Sequence, residues 1–91
     1  MKTHEALAKE WAKKGFSCDL WVDSPGQCWE NYVHDMDEMV YIVEGTMEFE
    51  IGGERKILKP GDEAFIPAHA NHSVRNIGGT TARWYYGYKS K

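Results

Sequence analysis

The chain has 91 residues and a formal net charge of -3; 42% of its residues are hydrophobic and 13% aromatic. That length holds one domain with a modest core, and that composition excludes a disordered chain. No apolar run approaches the roughly 20 residues of a membrane span. No apolar leader of roughly 7–15 residues follows Met1, and the 11 basic residues are scattered rather than gathered on a phosphate-binding face. A cytoplasmic protein with neither nucleic-acid nor membrane partners is therefore expected. Cys18 and Cys28 are too few for a disulfide scaffold and read most simply as two reduced thiols.

Residues 3–14 read as a short helix. Thr3 can cap it, Glu5 stands in the first turn, and Lys13 and Lys14 stand in the last, each in the sense the helix dipole favours. Leu7 and Trp11 share one face, widened by Ala8 and Ala12, and Gly15 is a plausible stop. This gives a helical appendage over residues 1–15 and a single domain over residues 16–91.

Beyond Gly15 the apolar period changes to two. Phe16, Cys18, Leu20 and Val22 alternate with Ser17, Asp19 and Trp21, which predicts a strand with those four on its apolar face. Ser24-Pro25-Gly26 is a turn, and residues 29–34 can be extended. Residues 39–43 form a β-rich run ended by Gly45. Met47, Phe49 and Ile51 alternate with Glu48 and Glu50, a strand with one wet face. Gly52-Gly53 signals a hairpin returning through residues 55–58. Short strands follow over residues 64–66, 72–76 and 82–88, separated by Pro- and Gly-bearing turns. About eight short, closely spaced strands argue an antiparallel sandwich or barrel.

Several residues could carry chemistry. His34 and Glu38 flank a bend between two strands. Val40 and Ile42 share the face of Glu38, so its carboxylate would sit on a mostly apolar surface and need a partner or a cation. His72 opens a later strand with Val74 on its face. These three groups are of the types that bind a divalent transition metal, or they could hydrogen-bond one another without one. His69 is a further candidate three residues before His72. Tyr32 shares the expected face of His34. His4 reads as solvent-facing, and Asp35 and Asp37 as turn residues. The aromatic stretch Trp84, Tyr85, Tyr86 and Tyr88 reads as a strand packed on both faces. No phosphate loop, serine-nucleophile motif or paired CxxC is present in the sequence.

The motif residues resemble the cupin superfamily. Its first motif, G-x5-H-x-H-x3,4-E-x6-G, is matched by Gly26, His34, Glu38 and Gly45, with Tyr32 at the first His position. Its second, G-x5-P-x-G-x2-H-x3-N, is matched by Gly61, Pro67, His72 and Asn76, with His69 where a glycine is expected. The resemblance implies an all-β double-stranded β-helix, a jelly-roll barrel carrying a short N-terminal helix, often as a homodimer. It also implies a divalent transition metal (Fe, Mn, Zn or Ni) held by His34, Glu38 and His72, with Tyr32 or His69 as additional site groups and Asn76 structural. Such a protein would act on a small polar organic molecule by oxygenase- or isomerase-type chemistry. Two other readings fit the same resemblance: a non-catalytic small-molecule binding or sensor module with a degenerate metal site, and an interaction subunit using its aromatic edge.

Overall fold

The computed structural model describes residues 1–90. They form one helix, α1 (His4–Lys13), and eight strands: β1 (Asp19–Asp23), β2 (Cys28–Tyr32), β3 (Glu38–Glu44), β4 (Met47–Ile51), β5 (Glu54–Leu58), β6 (Glu63–Ile66), β7 (His72–Asn76) and β8 (Ala82–Tyr88). The strands make two antiparallel four-stranded sheets, in the orders β1-β8-β3-β6 and β2-β7-β4-β5. This is the all-β jelly roll the sequence implied. Neighbours in each sheet are distant in sequence except for the β4–β5 hairpin, where Gly52 and Gly53 both adopt positive φ. Among the described residues, no helix is long and apolar enough to cross a membrane.

The core lies between the sheets. Val40 and Ile42 of β3, Met47 and Phe49 of β4, Ile66 of β6, Val74 of β7 and Trp84 of β8 are buried together. Their alternation along each strand is what sends them to one side. The outer face of the first sheet is covered by α1, whose Leu7 and Trp11 are buried against Tyr41 of β3. Sheathed on both faces, β3 is buried at Val40, Tyr41 and Ile42 in succession. Complete burial of Leu7 alone contributes about 1.5–3 kcal/mol. Thr3 caps the helix, its Oγ1 accepting from the Ala6 N–H at 3.1 Å.

The motif residues have structural work. Gly45 has φ +91°, and a Cβ there would lie 2.9 Å from the Ala82 Cβ, so the turn into β4 admits no side chain. Asn76 is buried, and its Nδ2 donates to the carbonyls of Ser24 (3.0 Å) and Thr80 (2.7 Å), tying together the turns that lead into β2 and β8.

The first strand departs from expectation. Pairing begins at Asp19 rather than Phe16, which makes only an isolated bridge to Lys89. Its phase is inverted as well: Leu20 and Val22 are 44% and 48% exposed, whereas Asp23 is 1% exposed. The cause is at the barrel's inner face, where three indoles offer Asp23 their N–H groups. As an edge strand bonded only to β8, β1 leaves its outward apolar side chains uncovered.

Candidate metal centre and aromatic cavity

Glu38 opens β3 and His72 opens β7, on facing sheets; His34 lies in the loop between β2 and β3. Their ligand atoms all lie within 4.8 Å of one another. His34 Nε2 is 2.9 Å from Glu38 Oε1, and His72 Nε2 is 3.9 Å from the same oxygen. Glu38 and His72 are each 5% exposed.

Backbone carbonyls set the direction of both imidazoles. His34 Nδ1 lies 2.9 Å from the Met36 carbonyl, and His72 Nδ1 lies 3.2 Å from that of Ala70. A carbonyl only accepts, so each Nδ1 carries the proton and donates it. In the neutral ring, Nε2 is then a bare lone pair, and both lone pairs face one carboxylate oxygen. Three acceptors cannot remain so close without a proton or a cation among them. Burial pushes the Glu38 carboxyl above the usual carboxylate range; a proton on His34 Nε2 would pull it back. Burial likewise lowers His72, which favours the neutral ring. Two neutral imidazoles oriented by carbonyls, plus one carboxylate, are a donor set suited to a divalent transition metal.

Of the two additional candidates, Tyr32 stands at the mouth of the cavity beside this group, 47% exposed, its ring 6.5 Å from that of His72. His69 is exposed and outside the group. Its φ is +70°, which explains the glycine expected there, and its backbone N–H donates to the His34 carbonyl at 2.8 Å. Asp37 accepts from the Ala68 N–H at 2.8 Å, a loop-bracing role. His4 is exposed and stacks on Tyr85, with its centroid 4.5 Å away.

The cluster forms one end of a cavity of about 380 Å³. Trp21, Trp29, Tyr32, Trp84, Tyr86 and Tyr88 wall the rest, and among its described lining residues none is Lys or Arg. Rings meet edge to face around it: Tyr32 to Trp29 (6.2 Å), Trp29 to Trp21 (5.7 Å), Trp21 to Tyr86 (6.1 Å), Tyr86 to Tyr88 (5.8 Å) and Tyr88 to His34 (5.0 Å). His34 meets His72 at 4.8 Å, and the contact of His72 with Tyr32 closes the belt. Tyr88 is pushed up to about 12 by burial and by Glu38, and so remains a hydrogen-bond donor at neutral pH.

Two features were not legible in the sequence. A bulge between Trp29 and Tyr32, where Asn31 has φ +56°, lets residues three apart serve the same cavity. Asp23 carries no motif signal at all. Tyr86 and Tyr88 were legible in part, since they share the face of Trp84 on a strand.

A family model for the Cupin domain matches residues 20–88. The polyketide synthase CurC of Streptomyces cyaneus is 33% identical over 76 residues, 82% of this chain and 49% of that protein; the chain thus spans about half the length of that curated relative. Among solved structures, TT1209 from Thermus thermophilus is 34% identical over 81% of this chain and 72% of that one, with a TM-score of 0.73. The polyketide cyclase RemF from Streptomyces resistomycificus (23% identical; 84% and 55% covered; TM-score 0.72) shares the fold. So does an oxalate oxidase solved in complex with the substrate analogue glycolate (21% identical; 85% and 43% covered; TM-score 0.76). With the barrel, both motifs and the family match in agreement, the chain belongs to the cupin family.

Proposed function

We propose that this chain holds a divalent transition metal with His34, Glu38 and His72 and acts on a small organic molecule seated in the aromatic cavity, by oxygenase- or isomerase-type chemistry. The observation that carries this reading is the convergence of two Nε2 lone pairs on one oxygen of a buried carboxylate. When bound, such a metal supplies Lewis acidity or redox chemistry at a substrate oxygen. The protein's own groups supply the rest. The aromatic belt excludes water and binds a flat body through ring faces. Tyr88 donates a hydrogen bond to an oxygen at the metal end, and Tyr32 orients or gates the ligand at the mouth. The apolar walls and the lack of a lining cation favour a molecule that is mostly apolar with one polar edge, in place of the small polar molecule the sequence suggested. Two relatives are named for polyketide chemistry, and a polyketide-derived ring suits such walls. A cytoplasmic homodimer belongs to the same reading; exposed Leu20 and Val22 on the edge strand β1 support a second copy.

Elemental analysis of untagged protein tests the centre, wild type beside Glu38→Gln and His72→Ala. One metal per chain in the wild type, lost in both variants, is expected. A wild type that stays empty after reconstitution with Fe, Mn, Zn and Ni would sink the metal assignment. A non-catalytic binding or sensor module is the second reading, favoured by Tyr32 standing where a further histidine ligand belongs. It predicts ligand binding that chelator leaves unchanged.

A further inference from the structure

Asp23 is the buried acidic residue that the proposed metal chemistry does not use. Its Oδ1 accepts from Trp21 Nε1 at 2.8 Å and Trp29 Nε1 at 2.9 Å, and its Oδ2 accepts from Trp84 Nε1 at 3.0 Å. The three donors come from β1, β2 and β8, so one side chain ties both sheets together at the cavity wall. Trp21 and Trp29 are members of the aromatic belt, and Trp84 braces it through Tyr86 at 6.1 Å while packing on Phe49 at 5.6 Å. An indole held only by packing can rotate within its pocket. An indole whose N–H is bonded to a buried carboxylate has one orientation, because leaving that donor or the carboxylate unpaired is costly.

We propose that Asp23 is a positioning residue that sets the cavity's selectivity: by orienting three indoles at once, it holds flat walls that admit planar ring molecules over puckered ones of the same size. This inference rests on the cavity being the ligand site, as argued above, and does not depend on a metal being bound there.

Two probes share one carbon skeleton. 2-Naphthol is planar, and decahydro-2-naphthol is its saturated, puckered counterpart. Calorimetric titration of the wild type is expected to favour 2-naphthol by about tenfold or more, the scale of two or three aromatic contacts. Asp23→Asn should bring that ratio to within about threefold of unity, since it loses acceptor capacity for three donors. The ratio separates positioning from mere structural support. A variant that only unfolds in part loses affinity for both probes by the same factor, leaving the ratio untouched. If Asp23→Asn does not fold, the decision passes to Trp21→Phe. That variant keeps a ring on a partly exposed strand but removes its N–H, and it should lower the ratio by about threefold, a fraction of the same aromatic term.

Equal binding of the two probes by the wild type would overturn the proposal, as would binding of neither. An unchanged ratio in the folded variant would overturn it too. Metal content is measured in each sample. A metal-free wild type with the ratio intact supports the role of Asp23 while removing the metal centre; a fully loaded wild type without discrimination does the reverse.

Discussion

Replacing Glu38 by Gln reverses the sign of its contribution according to whether metal is present. Without metal, the Glu38 carboxylate is nearly inaccessible to water and faces the Nε2 atoms of His34 and His72. The amide of Gln is neutral, nearly the same shape, and brings two N–H donors. One of these would sit where Oε1 lies 2.9 Å from His34 Nε2 and turn a repulsion into a hydrogen bond. Relieving one unsatisfied buried group is worth about 1–3 kcal/mol. At about 4–8 °C per kcal/mol for a domain of this size, melting should rise by roughly 4–24 °C. The assay is thermal unfolding in chelator by circular dichroism. Adding Zn or Mn at about 1,000 times its Kd then stabilises the wild type by about 4.1 kcal/mol and leaves Glu38→Gln nearly where it was, so the order inverts. A variant less stable than wild type in chelator would refute the reasoning. It would mean that Glu38 is already satisfied, by a proton shared with His34, and that the cluster is a hydrogen-bonded remnant.

The pH dependence of the same pair has a defined sign. Glu38 has its folded pKa raised above the ordinary 4.5, so between those values the native state binds more protons than the unfolded chain. Metal-free wild type therefore loses this contribution as pH rises through the window above 4.5. His72 is lowered from 6.5, so the unfolded chain binds more protons there, and stability gains as pH rises toward 6.5. Glu38→Gln removes the first trend and keeps the second.

Other outcomes follow from the packing. Tyr88 should titrate near 12, seen as the difference in phenolate absorbance between wild type and Tyr88→Phe; a midpoint near 10 would contradict its burial beside Glu38. Because its folded pKa is raised, stability falls as pH climbs from 10 toward 12. Phe49→Ala, at a fully buried site edge-on to Trp84, should cost about 3–5 kcal/mol in urea unfolding; a loss under about 1 kcal/mol would refute its place in the core.

Much of the fold could be read along the chain because it is written in local periods. Met47 and Phe49 are buried where their alternation put them, and β7 and β8 occupy the residues expected of them. The helix was legible because a Thr cap and a Leu–Trp stripe are local signals. His34, Glu38 and His72 stood out because the motif spacing places them at strand ends that a barrel brings together. The phase of β1 could not be read. Its polar residue Asp23 is inside and its apolar Leu20 outside, for a reason that lies 61 residues away at Trp84.

The sequence by itself determined the all-β class, the helix, the hairpin at Gly52-Gly53 and the identity of the three clustered ligand-type residues. The first three depend on patterns within short stretches, where backbone geometry is nearly independent of the rest, and the ligand-type residues on motif spacing that runs from His34 to His72. Only the tertiary structure decided what these groups face. It aimed both Nε2 atoms at Glu38 through the carbonyls of Met36 and Ala70, closed seven rings into a belt, and gathered three indoles on Asp23. The Trp84–Asp23 bond joins strands 61 residues apart in sequence. A hydrogen bond between them leaves no periodic trace, because its geometry exists only once both sheets have packed.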